Sequence, residues 1–186
     1  MTIEHDGSGP AFTPATLAAA VAACRQRRIR HLVVASTTGA TAEAAVAAVA
    51  GQDIELVIVT HNTGFTEAGA QEFPDVLRRR LEGAGVRVHT GTMVFRALGR
   101  AARDKLGGPD LEALVASTLR LLGEGTKVCA EIAVMAADAG LVPEGDVVCV
   151  AGTGRGADTC AVVRAVPSHR FFDLRVRAYV AKPTTF

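Results

Sequence analysis

The chain reads as an α/β protein, a three-layer α/β/α domain on a mostly parallel sheet, and two patterns predict it. Short apolar runs at His31–Ala35, Glu55–Thr60, Val86–His89 and Asp146–Ala151 alternate with helix-length segments, as when parallel strands are joined by helical crossovers. Each run ends in a polar cluster: Ser36–Thr41, Thr60–Thr66, His89–Thr92 and Gly152–Gly156. Sheets of this kind bind ligands outside the carboxyl ends of their strands, where the strand order reverses.

Taken in order, residues 1–12 read as a loose N-terminal tail, and residues 13–186 as a single domain. Thr13-Pro14 offers an N-cap and a first-turn proline for a helix to about Arg28. Its basic end (Arg25, Arg27, Arg28, Arg30) suits a helix C-terminus. The strand His31–Ala35 leads into the hydroxyl turn, and an Ala-rich helix runs from about Thr41 to Ala50. Glu55–Thr60 is apolar almost throughout, as expected for a strand covered on both faces. After the loop His61–Thr66, a helix from about Phe73 to Glu82 carries Arg78-Arg79-Arg80 as a solvated face. Gly83 and Gly85 precede the third strand. A long helical region follows from about Phe95 to Gly140, with breaks at Gly107-Gly108-Pro109 and Gly123-Glu124-Gly125. Its last segment, Lys127–Ala139, is apolar nearly all round except for Lys127, Glu131 and Asp138, whose spacing puts them on one stripe. Thr159–Val166 and Phe172–Val180 are two further strands around a Pro167-Ser168 turn. The second alternates like a half-exposed edge.

At 186 residues, 49% apolar and 21% charged, the chain suits one domain with a proper core. A net charge of +1 gives no electrostatic reason to expect nucleic acid or an anionic membrane as partner. No apolar run approaches a transmembrane length. The segment Met1–Pro10 carries two acids and does not read as a signal peptide. Cys24, Cys129, Cys149 and Cys160 are scattered through apolar surroundings without metal-binding spacing, which suits reduced buried thiols and a cytoplasmic location.

The turn after the first strand sets the functional expectation. A strand, a Gly-containing polar turn and a helix N-terminus together make an anion site, because the free N–H groups of the first helical turn point at the ligand. Hydroxyls of Ser36, Thr37, Thr38 and Thr41 around Gly39 add donors without adding charge. The competing reading is that Thr41 merely caps its helix. The turn is neither a Walker loop nor a GxGxxG fingerprint. The helical excursion before Asp146 lets that strand return beside the first, which brings Gly152-Thr153-Gly154-Arg155-Gly156 to face the hydroxyl turn. Arg155, the one long side chain of that loop, is expected to be the main cation on the bound anion.

These segments resemble a known domain. Ser36-Thr37-Thr38-Gly39-Ala40-Thr41-Ala42 resembles the strand–turn–helix motif of the pyruvate kinase C-terminal α/β domain. Ala151-Gly152-Thr153-Gly154-Arg155-Gly156-Ala157-Asp158-Thr159 resembles its glycine-rich loop before an antiparallel strand. Over about residues 13–183 the chain looks similar to the stand-alone proteins called pyruvate kinase C-terminal domain-like. The resemblance implies a mixed sheet of order 3-2-1-4-5 with strand 5 antiparallel. It also implies a sugar-phosphate-type effector cradled by the two segments, as in many pyruvate kinases. The catalytic barrel of those enzymes is absent from this sequence, so pyruvate kinase activity is not expected. Ala40 stands where relatives often have a basic or polar residue, which favours a monophosphate over a sugar bisphosphate.

Three functions are open at this level. The first is binding of a phosphate-bearing small molecule, with flavin mononucleotide the best single candidate. Its phosphate would meet Ser36, Thr37, Thr38, Gly39, Thr41 and the Gly152–Gly156 loop, while Phe65, Phe73 or Phe95 flank a flat ring. The strand ends add His61, Asn62, Gly64 and Thr90 to the expected ligand contacts, and the charged stripe adds Lys127 and Glu131. The second is an enzyme on a small phosphorylated metabolite, using His61, His89 or Glu131 as acid–base groups. The third is a regulatory or oligomeric subunit, in which any bound ligand only stabilises the chain. No nucleophile elbow is present, and the histidines lack a third residue at metal-binding spacing.

Overall fold

A computed structural model describes residues 2–186. Its strands, in chain order, are β1 (Ile3–His5), β2 (His31–Ala35), β3 (Glu55–Val59), β4 (Arg87–His89), β5 (Gly145–Ala151), β6 (Thr159–Ala165) and β7 (Arg175–Pro183). Its helices are α1 (Thr13–Arg27), α2 (Ala40–Val49), α3 (Asp75–Gly83), α4 (Leu98–Leu106), α5 (Leu111–Arg120) and α6 (Glu124–Asp138). One mixed sheet has the order β1-β7-β6-β5-β2-β3-β4. β2, β3, β4 and β5 run parallel, and β6 is antiparallel to both β5 and β7. The expected five-strand order is thus present, extended by two strands on the β6 side.

The strands are apolar on both faces because helices cover both. Leu32 and Val34 of β2 pack toward α1, α2 and α3 with Leu17, Ala45 and Leu77, together with Ile58 and Val150 of neighbouring strands. The residue between them, Val33, points the other way, toward Cys129, Ile132 and Ala136 of α6. This is the period-2 alternation of a pleated strand with no polar face. A smaller cluster joins Phe95, Ala116 and Ala130, so α5 packs on the outer side of α6.

Several expectations are corrected. The N-terminal segment is not a loose tail: β1 pairs in parallel with β7, from Ile3↔Ala181 to His5↔Pro183. β7 is therefore an interior strand, and β1 and β4 are the sheet edges. A 3-10 helix occupies Ser168–Asp173, so the last strand starts at Arg175. Thr13 does not cap α1 through its side chain; the cap position is Phe12, and the Thr13 hydroxyl accepts the Ala157 N–H at 2.9 Å. Arg78 is not a solvated residue. Its guanidinium lies over the Phe73 ring and donates to the Val88 carbonyl and the Thr90 hydroxyl. Phe73 itself is buried in the core ahead of α3. All four cysteines are free and buried, as expected.

Candidate functional site

A cleft of about 750 Å³ opens at the carboxyl ends of β2, β3 and β5. Because β3 and β5 flank β2 on either side, this is the reversal point that the sequence pattern indicates. Ser36, Thr37, Thr38, Thr41, His61, Phe65, Lys127, Glu131, Gly152, Gly154, Arg155 and Gly156 all line it.

In the hydroxyl turn the four side chains have different work. Ser36 is buried, and its Oγ accepts the Ala42 N–H at 3.2 Å, so it caps α2 from six residues back. Thr37 faces the His61 ring. The hydroxyls of Thr38 and Thr41 hold no hydrogen bond among the described residues. Gly39 takes φ +101° as the N-cap of α2 and supplies no side-chain cap. A Cβ there would meet Leu77 Cδ2 at 2.2 Å, so Gly39 is a packing requirement and lies off the cleft wall.

The glycine-rich loop is anchored from beneath by Asp158. One of its carboxylate oxygens accepts the N–H groups of Thr153 (2.9 Å) and Gly9 (3.0 Å), and the other accepts the Thr159 hydroxyl (2.8 Å). The N-terminal segment thereby becomes part of the site, and Pro10, Thr13 and Pro14 line the cleft. A Cβ on Gly156 would lie 2.4 Å from Pro10 Cα, so the close approach of these two backbones requires glycine. Thr153 points off the cleft wall; its Oγ1 is buried and has no hydrogen-bond partner among the described residues. Arg155 lines the cleft and forms no ion pair among the described residues. Both acids that might hold it are engaged: Asp158 as above, and Glu131 elsewhere.

Glu131 and Lys127 form a buried pair, their side chains 2% and 6% exposed, with Nζ 2.5 Å from Oε2. The other Glu131 oxygen accepts the Phe95 N–H at 3.0 Å, and the ammonium lies 5.7 Å from the centroid of the Phe95 ring. One turn of α6 thus pins the segment leading into α4 to the cleft wall. Asp138 is separate from this pair: it accepts the Ser168 N–H at 2.8 Å, at the start of the 3-10 helix.

His61 stays with the cleft, whereas His89 does not. His89 borders a shallower hollow with Arg87, Ala139 and Leu141, so the two histidines share no site. Burial and the nearby Arg78 charge push the His89 pKa down. Asn62, Gly64 and Thr90 also stand off the cleft wall. Asn62 donates to the Thr63 carbonyl, and Thr90 is tied to Thr60 Oγ1 at 2.6 Å. No group of three or more potential metal ligands occurs among the described residues.

A second set of cations, beyond those expected from the sequence, stands at the cleft. Arg96 just ahead of α4, Arg100 and Arg103 within it, and Arg120 from α5 also line the cleft. The i, i+3 spacing of Arg100 and Arg103 puts them on one helix face, a signal readable in the sequence, whereas Arg96 precedes the helix. Arg103 pairs with Asp110 at 3.3 Å and Arg120 with Glu124 at 2.5 Å. Arg96 lies 4.2 Å over the Phe65 ring and makes no ion pair among the described residues. Opposite this charged face, Leu98 and Leu106 of α4 are exposed to solvent.

No family model matches the chain. Among solved structures it is similar to a pyruvate kinase of Cryptosporidium parvum, at 15% identity and a TM-score of 0.45, covering 83% of this chain and 23% of that one. The complex of Cryptosporidium parvum pyruvate kinase with ADP gives 16% identity, a TM-score of 0.45, and coverage of 83% and 24%. The chain therefore spans less than a quarter of the length of these kinases.

Proposed function

We propose that the cleft binds a small molecule through a phosphate group placed between the N-terminus of α2 and Arg155. The observation that carries this reading is Arg155 itself, a cation on the cleft wall whose possible acid partners are already engaged. Thr38, Ala40 and Thr41 at the N-terminus of α2 line the same cleft, and the hydroxyls and first-turn N–H groups there suit the same anion. Flavin mononucleotide is the compound of this class to test first. Phe65 and Phe95 line the cleft, although Phe65 already contacts His61 and Arg96, and the buried Phe73 is not available to a ring.

A charge-assisted hydrogen bond contributes about 1.5–3 kcal/mol. Arg155→Ala should thus weaken binding roughly ten- to a hundredfold, and Arg155→Lys should weaken it less, since lysine cannot grip two oxygens. Calorimetric titration of inorganic phosphate and of flavin mononucleotide into wild type and both variants tests this. Equal affinities in all three proteins would assign Arg155 to loop structure instead. Mass spectrometry of small molecules released from the purified protein identifies the ligand directly.

A second reading, a subunit that associates with its own copies, has one observation in its favour. Leu98, Leu106, Leu111, Leu114 and Leu121 of the α4–α5 region are exposed apolar side chains. Sedimentation at several concentrations tests it; a monomer throughout would set it aside.

A further inference from the structure

The cleft contains an acid–base arrangement that phosphate binding does not use. His61, two residues past the end of β3, has its Nδ1 2.9 Å from Oε2 of Glu72. With an ionised carboxylate as acceptor Nδ1 is the donor, and in the neutral imidazole Nε2 is then the acceptor. That Nε2 lies 3.4 Å from the hydroxyl of Thr37, and His61 and Thr37 both line the cleft. The imidazole is held in place: its ring packs on Phe65 at a centroid distance of 4.0 Å. The His61 carbonyl accepts from Thr60 Oγ1 at 2.9 Å and from Gln71 Nε2 at 3.1 Å. Thr37 stands three residues ahead of the first residue of α2, beside the N–H groups assigned above to the phosphate.

We propose that Glu72, His61 and Thr37 form a proton relay that makes the Thr37 hydroxyl a nucleophile toward the phosphorus of a phosphate monoester. This rests on the phosphate-binding reading of the same cleft. In the first half-reaction the Thr37 Oγ1–P bond forms while the ester P–O bond breaks. Nε2 of His61 takes the Thr37 proton and delivers it to the departing alkoxide, which leaves as the alcohol. In the second, water attacks the phosphothreonine phosphorus and gives a proton to Nε2. The Oγ1–P bond breaks, and that proton restores the Thr37 hydroxyl. The balance is monoester plus water to alcohol plus inorganic phosphate.

A nucleophile, its base and a group orienting the base are the three parts that hydroxyl activation needs. The 3.4 Å contact is long, as catalytic hydrogen bonds commonly are before substrate is bound. Arg155 and Arg96, which line the same cleft, offset the charge of the phosphoryl group in flight. Glu72 touches no reacting atom; it is a positioning residue that holds the His61 tautomer.

The test uses the full chain and p-nitrophenyl phosphate. The expected result is nitrophenolate release, with a phosphoryl group appearing in the intact mass and located on Thr37 by fragmentation. Thr37→Val should abolish both signals, and Thr37→Ser should retain them. His61→Asn should slow turnover by roughly 10²–10⁴-fold. Glu72→Gln should lower kcat at unchanged KM, and it should remove the Nδ1–H pattern from the imidazole ¹⁵N spectrum, which a merely structural glutamate would leave in place. Turnover that persists in Thr37→Val overturns the relay. A parallel titration of inorganic phosphate separates the two readings. Phosphate binding without turnover or phosphothreonine overturns the relay alone, whereas neither binding nor turnover overturns both.

Discussion

Removing the carboxylate of Glu131 should be among the most damaging single changes to this fold. Lys127 and Glu131 are almost fully buried, and their pair also holds the Phe95 N–H. Glu131→Leu leaves an ammonium without its counter-charge and a backbone donor without an acceptor. Breaking a buried pair by removing one partner costs about 3–5 kcal/mol, and an orphaned buried donor adds about 1–3 kcal/mol. Against a total stability of about 5–15 kcal/mol, the single variant should lose a large share of its stability. The double variant Lys127→Met/Glu131→Gln removes both charges and keeps an amide oxygen for Phe95, so it should recover most of the loss. Urea denaturation of wild type, single and double variants measures this. At roughly 2–4 °C per kcal/mol for a chain of this size, a loss of about 4 kcal/mol lowers Tm by roughly 8–16 °C. A single-variant loss under about 1 kcal/mol, or a double variant no better than the single, would refute the reasoning.

The close packing around the glycine loop and the buried thiols and His89 set three further outcomes. Gly156→Ala meets both a positive φ and the Pro10 backbone at 2.4 Å, whereas Gly154→Ala meets only the positive φ. The first should therefore cost clearly more than the roughly 1–2 kcal/mol expected of the second, and equal denaturation midpoints would contradict the close approach. Burial pushes the Cys24 thiol up to about 12 and the thiols of Cys129, Cys149 and Cys160 upward as well. All four are thus protonated near neutral pH, so a thiol reagent should label them only as the chain unfolds; fast labelling of the folded protein would count against that burial. The depressed His89 pKa means that the unfolded chain takes up a proton near the ordinary value of about 6.5 while the folded chain still resists it. Stability should accordingly fall as pH drops below about 6.5. NMR titration should show His89 below the ordinary value in wild type and higher in Arg78→Gln; an ordinary value in wild type would remove the effect.

Much of this architecture was legible in the residues themselves. Strands such as Leu56–Val59 announce burial on both faces because nothing polar interrupts them, and alternation with helices then implies parallel crossovers. The hydroxyl turn and the Arg155 loop were marked by composition, since serine, threonine and glycine cluster where chains turn and where backbone N–H groups are left free. The Lys127–Glu131 pair was signalled by two charges on an otherwise apolar helix.

What remained hidden depends on which distant segments meet. Local pattern makes Ile3–His5 an unremarkable polar tail; it becomes a strand because β7, about 175 residues later, offers a free edge. Ser36 and Thr13 look like ordinary caps for the helices beside them. Ser36 does cap α2, but Thr13 serves Ala157 across the fold. His61 and His89 look equivalent in sequence, each at a strand end, yet only His61 enters the cleft, where Glu72 and Thr37 meet its ring. The arginines of α4 carry a readable helical spacing, but their direction is set by how α4 seats on the molecule. That helix turns its charged face to the cleft and leaves Leu98 and Leu106 outside, the reverse of what amphipathic patterning alone predicts. Periodicity determines which residues of an element share a face, and only the packing of the whole chain decides what that face looks at.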